Sequence, residues 1–484
     1  MRKSITGSLL SLLLTGCAVG PNYRRPAVAV PDEARGQAGS VESVSVADRA
    51  WWELFEDERL RQLVEEALRS GYDVRIAAFR VEEARANAGI ARSPFFPQID
   101  YSARFSRSRQ SGAAFGISSI PPVNLHDVNL GLSWEIDLWG RIRRSSEAAL
   151  AQYLASEEAR RGVLLSLVSE VATAYFQLRL LDAQLEIARR TMTTFQETFD
   201  LFNRRLEGGL ASALETSSAE ASLANVAAQV PLYENQIVAE ENALSLLLGR
   251  NPGPIARGAA LREQVIPPEV PPGLPSDLLQ RRPDLRQSEQ ELVAANAQVG
   301  VAMANFFPTI SLTAALGGVS PEVSNLFTAG KTWSIAAGLV GPLFQGLRLK
   351  NQYDARLAQW EQSKAQYEQA VTSAFGEVSS AIVANQKLAE AEAQQARTVS
   401  AYQTAVRLSN DRYLAGLASY LDVLQAEQQL YPAEQSWAQL RFQRLANFVQ
   451  LYKALGGGWT IQDPAWARPA LDSSAPKTAA APRP

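Results

Sequence analysis

Cysteine and histidine, the residue types behind most thiol, nucleophilic and transition-metal chemistry, occur once each in the 484 residues, as Cys17 and His126. A single thiol and a single imidazole cannot build a disulfide framework, a Cys/His zinc site or a Cys-His nucleophile pair. His126 adjoins the end of a predicted strand and reads as a loop or lumen residue rather than a metal ligand. Gly456-Gly457-Gly458 follows no strand and precedes no phosphate-loop lysine, so it reads as a helix stop. With 47 Lys+Arg against 50 Asp+Glu, the chain lacks the basic balance of a nucleic-acid binder. A paired-carboxylate cleft is the enzymatic option left, and the organisation described below leaves no obvious domain to house one. The chain therefore reads as a non-enzyme with no metal and no cofactor.

The lone thiol sits where position gives it a meaning. Arg2 and Lys3 open the chain with positive charge, and the apolar run from Ile5 to Leu14 is too short to span a bilayer. Leu14-Thr15-Gly16 then places small residues directly before Cys17. This pattern resembles a bacterial lipobox. It implies a signal peptide over 1–16 and acylation of Cys17, with palmitate among the chains, each adding about 0.8 kcal/mol of membrane affinity per buried CH2. Ala18, not Asp, follows the cysteine and favours sorting to the outer membrane. No other window reaches 18 apolar residues, so no transmembrane helix is expected.

An internal repeat organises the remainder. An offset of 207 pairs Leu150-Ala151-Gln152-Tyr153 with Leu357-Ala358-Gln359-Trp360, and Gly209-Leu210-Ala211-Ser212 with Gly416-Leu417-Ala418-Ser419. Upstream the offset becomes 211, pairing Phe95-Phe96-Pro97 with Phe306-Phe307-Pro308. A period this long marks a duplicated domain rather than a solenoid. The expected organisation is an acylated, extended segment over 17–56, a first repeat over 57–250, a Pro-rich connector over 251–283, a second repeat over 284–457 and a disordered tail over 458–484.

Each copy reads as helix, two strands, long helix, turn and helix. The first helix (57–93, then 284–305) stops at the Phe-Phe-Pro step, where proline cannot continue the ladder. Ile99, Tyr101, Ala103 and Phe105 then alternate with Asp100, Ser102, Arg104 and Ser106. Val128, Leu130, Leu132, Trp134, Ile136 and Leu138 alternate with Asn129, Gly131, Ser133, Glu135 and Asp137. The second copy repeats the alternation around Leu312 and Trp333, and each segment has the length of a tilted membrane strand. Ser145 to Leu206 and Lys350 to Leu414 lack proline and carry apolar residues at three- and four-residue steps, a coiled-coil-like seam roughly 90 to 100 Å long. Turns at Glu207-Gly208-Gly209 and Ala415-Gly416 return the chain through 211–249 and 417–455.

Four membrane strands leave two open edges, which hydrocarbon cannot satisfy, so the sheet must close with copies of itself. Two chains give an eight-stranded barrel filled by side chains, whereas three give twelve strands and a lumen. The expected fold is an α+β membrane protein, a homotrimeric β-barrel with four strands per chain, continuous with a long helical coiled-coil barrel.

Five motifs, taken in order, carry a family resemblance: Cys17-Ala18-Val19-Gly20-Pro21-Asn22-Tyr23, Trp51-Trp52-Glu53-Leu54-Phe55, Asp137-Leu138-Trp139-Gly140-Arg141, Arg281-Arg282-Pro283-Asp284-Leu285, and Tyr413-Leu414-Ala415-Gly416 followed by Ser419-Tyr420-Leu421-Asp422-Val423-Leu424. Together with the duplication they resemble the TolC-like outer-membrane factor family, lipoprotein branch, over Cys17 to about Gly457. The resemblance implies a passive duct for small molecules, lipid-anchored in the outer membrane, with a long periplasmic extension. It also implies docking to a periplasmic adaptor and to an inner-membrane transporter of the resistance-nodulation-division class. A type I protein secretion channel would share the duct. By the same resemblance Tyr413 and Asp422 match gate residues at the periplasmic tip, and Gly208, Gly209, Leu210, Gly416, Leu417 and Ser419 fall at adaptor-docking turns. Ala418 and Gln425 depart from the pattern, standing where relatives place an arginine and a further aspartate.

Overall fold

The computed structural model describes residues 18–31, 35, 56–109, 111, 116, 121–266 and 278–457. The signal peptide, Cys17, Trp51-Trp52, residues 267–277 of the connector and the tail from 458 onward lie outside the described residues. In the first copy, α1 (Glu58–Ser70) and α2 (Tyr72–Arg92) lead into β1 (Gln98–Ser108) and β2 (Val123–Ile136), followed by α3 (Arg141–Glu207) and α4 (Ala213–Leu247). In the second, α5 (Leu278–Arg281) and α6 (Pro283–Ala304) precede β3 (Thr309–Ser320), β4 (Lys331–Val340), α7 (Arg348–Leu414) and α8 (Tyr420–Ala454). The helices α3 and α7 have 67 residues each and α4 and α8 have 35 each. Both pairs start 207 residues apart.

Two expectations need correction. The single helix over 57–93 is two helices, because Gly71 has ψ 136° and its N–H closes onto the Ala67 carbonyl at 2.7 Å. A Cβ at Gly71 would meet that carbonyl at 2.6 Å, so the break needs glycine. The strand expected to reach Leu138 ends at Ile136, because the Asp137 carboxylate turns to accept the N–H groups of Ile142 (3.0 Å) and Arg143 (2.8 Å) at the start of α3. One 18-residue window of α3 has mean hydropathy 1.3, but 67% of it is buried within the protein, as befits a core helix.

Contacts gather the chain into two units, and the division falls inside α2, α3, α6 and α7. The first contains residues up to Ala27, Arg80–Glu157 and Gln287–Glu368. It holds one antiparallel sheet of order β1-β2-β3-β4. The two sequence hairpins are thus joined through β2 and β3, which pair from His126↔Ser320 to Ile136↔Ile310. The N-terminal segment lies along this unit without regular secondary structure. Val19 N–H donates to the Trp139 carbonyl, Arg144 reaches Asn22 Oδ1 at 2.7 Å, Asn296 donates to the Pro21 carbonyl, and Arg25 forms a two-pronged ion pair with Glu289 at 2.7 and 2.5 Å.

The second unit contains Val28–Phe79, Glu158–Arg286 and the chain from Gln369 onward, and it holds the main core. On α1, Leu60, Leu63, Val64 and Ala67 follow helical spacing and are fully buried. They join Val171, Tyr175, Phe176 and Leu178 of α3, Leu244 of α4, and Leu445, Phe448 and Tyr452 of α8. Asp57 anchors this core at the start of α1. Its carboxylate accepts from Arg59 N–H at 2.8 Å, Tyr175 Oη–H at 2.8 Å, Gln264 Nε2 at 2.7 Å and Ala259 N–H at 3.1 Å.

Candidate functional site

The sheet turns residue alternation into two chemically opposite faces. Register places Tyr101, Leu130, Leu316 and Trp333 in one row across all four strands, and Ile99, Leu132, Ala314 and Ile335 in the next row on the same face. Alternate residues point to opposite faces of a strand, so the other face carries Asp100, Gly131, Ala315 and Ser334, then Gln98, Ser133, Thr313 and Ala336. The apolar face is open: Tyr101 is 88% exposed, Trp333 76% and Ile335 78%. A soluble protein rarely leaves such a face uncovered. Leu132 and Trp333 share the apolar face, and Ser133 and Ser334 share the polar one. Lengthening β2 to begin at Val123 also relocates His126. Instead of a loop or lumen position it lies inside the strand on the apolar face, its ring 4.8 Å from Phe105.

At the far ends of the long helices both hairpin turns are built alike. Gly209 (φ 68°) and Gly416 (φ 74°) occupy the left-handed conformation that closes a helix. In the first turn, Leu210 N–H reaches the Arg205 carbonyl and Gly209 N–H the Leu206 carbonyl. In the second, Leu417 N–H reaches Arg412 and Gly416 N–H reaches Tyr413. Gly208 extends the first turn, donating to the Arg204 carbonyl. Each return helix then begins at a serine with an acidic residue three positions on. Glu215 accepts from Ser212 N–H at 2.8 Å, and Asp422 accepts from Ser419 N–H at 3.1 Å. Leu210, Leu214, Leu414 and Leu417, all more than 70% exposed, surround these turns.

The gate candidates occupy separate contacts. Asp422 is exposed and bonded to Ser419, whereas the Tyr413 hydroxyl accepts from Arg205 at 2.5 Å, with that guanidinium carbon 5.5 Å from the Tyr413 ring centroid. Tyr413 also meets Tyr420 edge-on at 5.0 Å, and Tyr420 meets Phe202 edge-on at 5.1 Å and bonds Thr198 Oγ1 at 2.6 Å. Burial pushes the Tyr420 hydroxyl up to about 12. Sequence reasoning passed over Arg205 and Phe202 and read Tyr420 only as part of a motif, because an aromatic or basic residue at helical spacing gives no sign that it meets another helix. Ala418 and Gln425 supply no charge beside Asp422. Further along α8, Glu427 is pushed up to about 7 by burial, and its Oε2 has no hydrogen-bond partner among the described residues.

Comparison with known proteins follows this geometry closely. The family profile described as Outer membrane efflux protein matches twice, over residues 63–250 and 274–457. The probable efflux pump outer membrane protein TtgC of Pseudomonas putida is 36% identical over 470 residues, covering 95% of this chain and 97% of the relative. The probable outer membrane lipoprotein SilC of Salmonella typhimurium is 33% identical over 451 residues, covering 92% and 97%. Among solved structures, the open state of the Neisseria gonorrhoeae MtrE outer membrane channel superposes with a TM-score of 0.82 at 33% identity, covering 91% of this chain and 98% of that one.

Proposed function

The chain belongs to the outer membrane efflux protein family and is an outer-membrane channel of an efflux pump, not an enzyme; from that premise we propose how its parts conduct. Three copies close their sheets into a twelve-stranded barrel with the apolar face toward lipid and the polar face toward a lumen. The helical hairpins carry the duct into the periplasm, where a periplasmic adaptor and an inner-membrane transporter of the resistance-nodulation-division class engage it. Transport energy comes from that transporter, and this chain contributes passage and closure. The cargo is small molecules, drugs or other toxic compounds. The observation that carries this reading is the open four-stranded sheet with one apolar and one polar face. Cys17 holds acyl chains in the inner leaflet of the outer membrane.

The exposed leucines beside Gly208, Gly209, Gly416 and Ser419 form the apolar tips offered to the adaptor. Behind them, Tyr413 and Asp422 form the gate. Three copies of Asp422 make a ring of like charges that disfavours anions and draws divalent cations. Tyr413, held by Arg205 and Tyr420, narrows the passage. Planar-bilayer recordings test this directly. Tyr413→Ala should raise resting conductance, and Asp422→Asn should weaken divalent block. Unchanged conductance and block, with only a lowered melting temperature, would make both residues structural. Accumulation of an unexported protein, rather than of small toxic compounds, in a deletion strain would instead assign the duct to type I secretion.

A further inference from the structure

The duplication lets one corner of the sheet be compared with its copy. In the first copy the chain passes from β2 to α3 through residues 137–140, and the cations beside it are answered by carboxylates. Glu135 holds Arg141 through two hydrogen bonds of 3.0 and 2.6 Å, and Asp137 lies 3.3 Å from Nε of Arg143. Gly140, at φ 81°, lies against the N-terminal segment, where an added Cβ would meet Ala18 at 2.6 Å. At an offset of 207 the corner from β4 to α7 keeps the cations as Arg348 and Lys350, but Pro342 stands in place of Glu135 and Phe344 in place of Asp137. Gly140 becomes Leu347, which at φ 66° is the one residue other than glycine with a positive φ among the described residues.

This second corner is apolar, cationic and uncovered. Leu343 is fully exposed, Phe344 is 89% exposed and Leu347 68%. Arg348 forms no ion pair among the described residues and bonds the side-chain oxygens of Gln345 and Gln352 instead. Lys350 shares its charge with Asp354 at 2.6 Å, both of them exposed. A leucine held in a left-handed backbone with its side chain in water stabilises nothing in its own chain. The patch continues the apolar face of the sheet, on which Trp333, Ile335 and Leu339 of β4 are exposed. The ten residues of β4, tilted as barrel strands are, match an apolar band about 25 Å tall, so the residues directly after Val340 fall at the level of lipid headgroups. Resting on the closed-barrel reading above, we infer that the corner between β4 and α7 seats an anionic glycerophospholipid of the bilayer, its acyl chains along Leu343, Phe344 and Leu347 and its phosphate on Arg348 and Lys350. The first corner, neutralised by its own carboxylates and covered by Ala18, takes none.

Native mass spectrometry of the full-length trimer, extracted in mild detergent, tests this. Dimyristoyl-phosphatidylglycerol and dimyristoyl-phosphatidylcholine differ in headgroup charge but not in their chains. The wild type should retain the first over the second by roughly tenfold, the scale set by one or two basic groups beside an anionic headgroup. Arg348→Gln with Lys350→Gln should remove that preference and leave the trimer intact. Phe344→Ser, which keeps both charges, should lower retention of both lipids. Arg141→Gln with Arg143→Gln should keep the wild-type preference. Equal loss from the two arginine pairs would make overall charge, not this corner, the selector and would overturn the proposal. Release of phosphatidylglycerol by millimolar inorganic phosphate, the behaviour of a small-anion site, would do the same. If Arg348→Gln with Lys350→Gln splits the trimer in lipid-free detergent, the corner is a contact between copies and the lipid seat falls. A trimeric wild type with no headgroup preference overturns the seat alone, whereas a wild type that is monomeric throughout overturns the closed barrel itself.

Discussion

Asp57 shows how much one side chain can hold. Burial raises its carboxyl, but hydrogen bonds from Gln264, Tyr175 and the N–H groups of Leu60 and Arg59 outweigh that and keep it below the usual aspartate range. A depressed carboxyl contributes stability that is present above its unfolded value and lost as pH falls through the folded one. Asp57→Ala should destabilise the protein by about 3 kcal/mol, because it leaves the Tyr175 hydroxyl and the Gln264 amide unpaired in the core. Asp57→Asn should flatten the acid limb of the stability profile in urea titrations. Glu427 is the opposite case. With its carboxyl pushed up to about 7 by burial, the folded state favours the neutral form. Its stabilising contribution is present below the unfolded glutamate value and disappears as pH rises through about 7. Glu427→Gln should therefore raise the melting temperature at pH 8 and leave it unchanged near pH 4. Equal gains at both values would mean that packing, not charge, is responsible. Neither role was legible in the sequence, where Asp57 and Glu427 are two acids among fifty.

Elements were far more readable than contacts, and the reason is periodicity. Alternation in β1 and β2, proline after Phe-Phe, and the glycines at 209 and 416 are local signals, and local physics alone settles what they form. The pairing of β2 with β3 is not local: it joins residues nearly two hundred positions apart, so no stretch of either strand announces it. Gly71 was missed for a related reason. Its role comes from the carbonyls of Ala67 and Leu247 crowding the place where a side chain would go. The sheet faces themselves are open to a direct test. Leu132→Arg should cost about 2 to 4 kcal/mol in bilayer refolding if the residue lies near the midplane, and Ser133→Arg much less. Equal losses from the two substitutions would contradict the assignment of the apolar face to lipid.

At the scale of the whole molecule, the described N-terminal segment from Ala18 is tied to the sheet unit. Ala18 lies so close to Gly140 that a Cβ there would approach it to 2.6 Å, and Val19 is bonded to Trp139, just past the end of β2. Cys17→Ser should abolish metabolic palmitate labelling while leaving strand content unchanged by circular dichroism; persistent labelling would refute acylation at this position. The open edges of β1 and β4 have a further consequence, for biogenesis. Each carries a row of backbone donors and acceptors with no strand beside it among the described residues, and each such group left bare in hydrocarbon costs several kcal/mol. A single copy that reaches the membrane cannot dissolve in it without exposing those rows. A closed ring can. The bilayer therefore acts as a proofreader of closure, favouring sheets whose edges are paired over sheets left open, with no dedicated sensor needed.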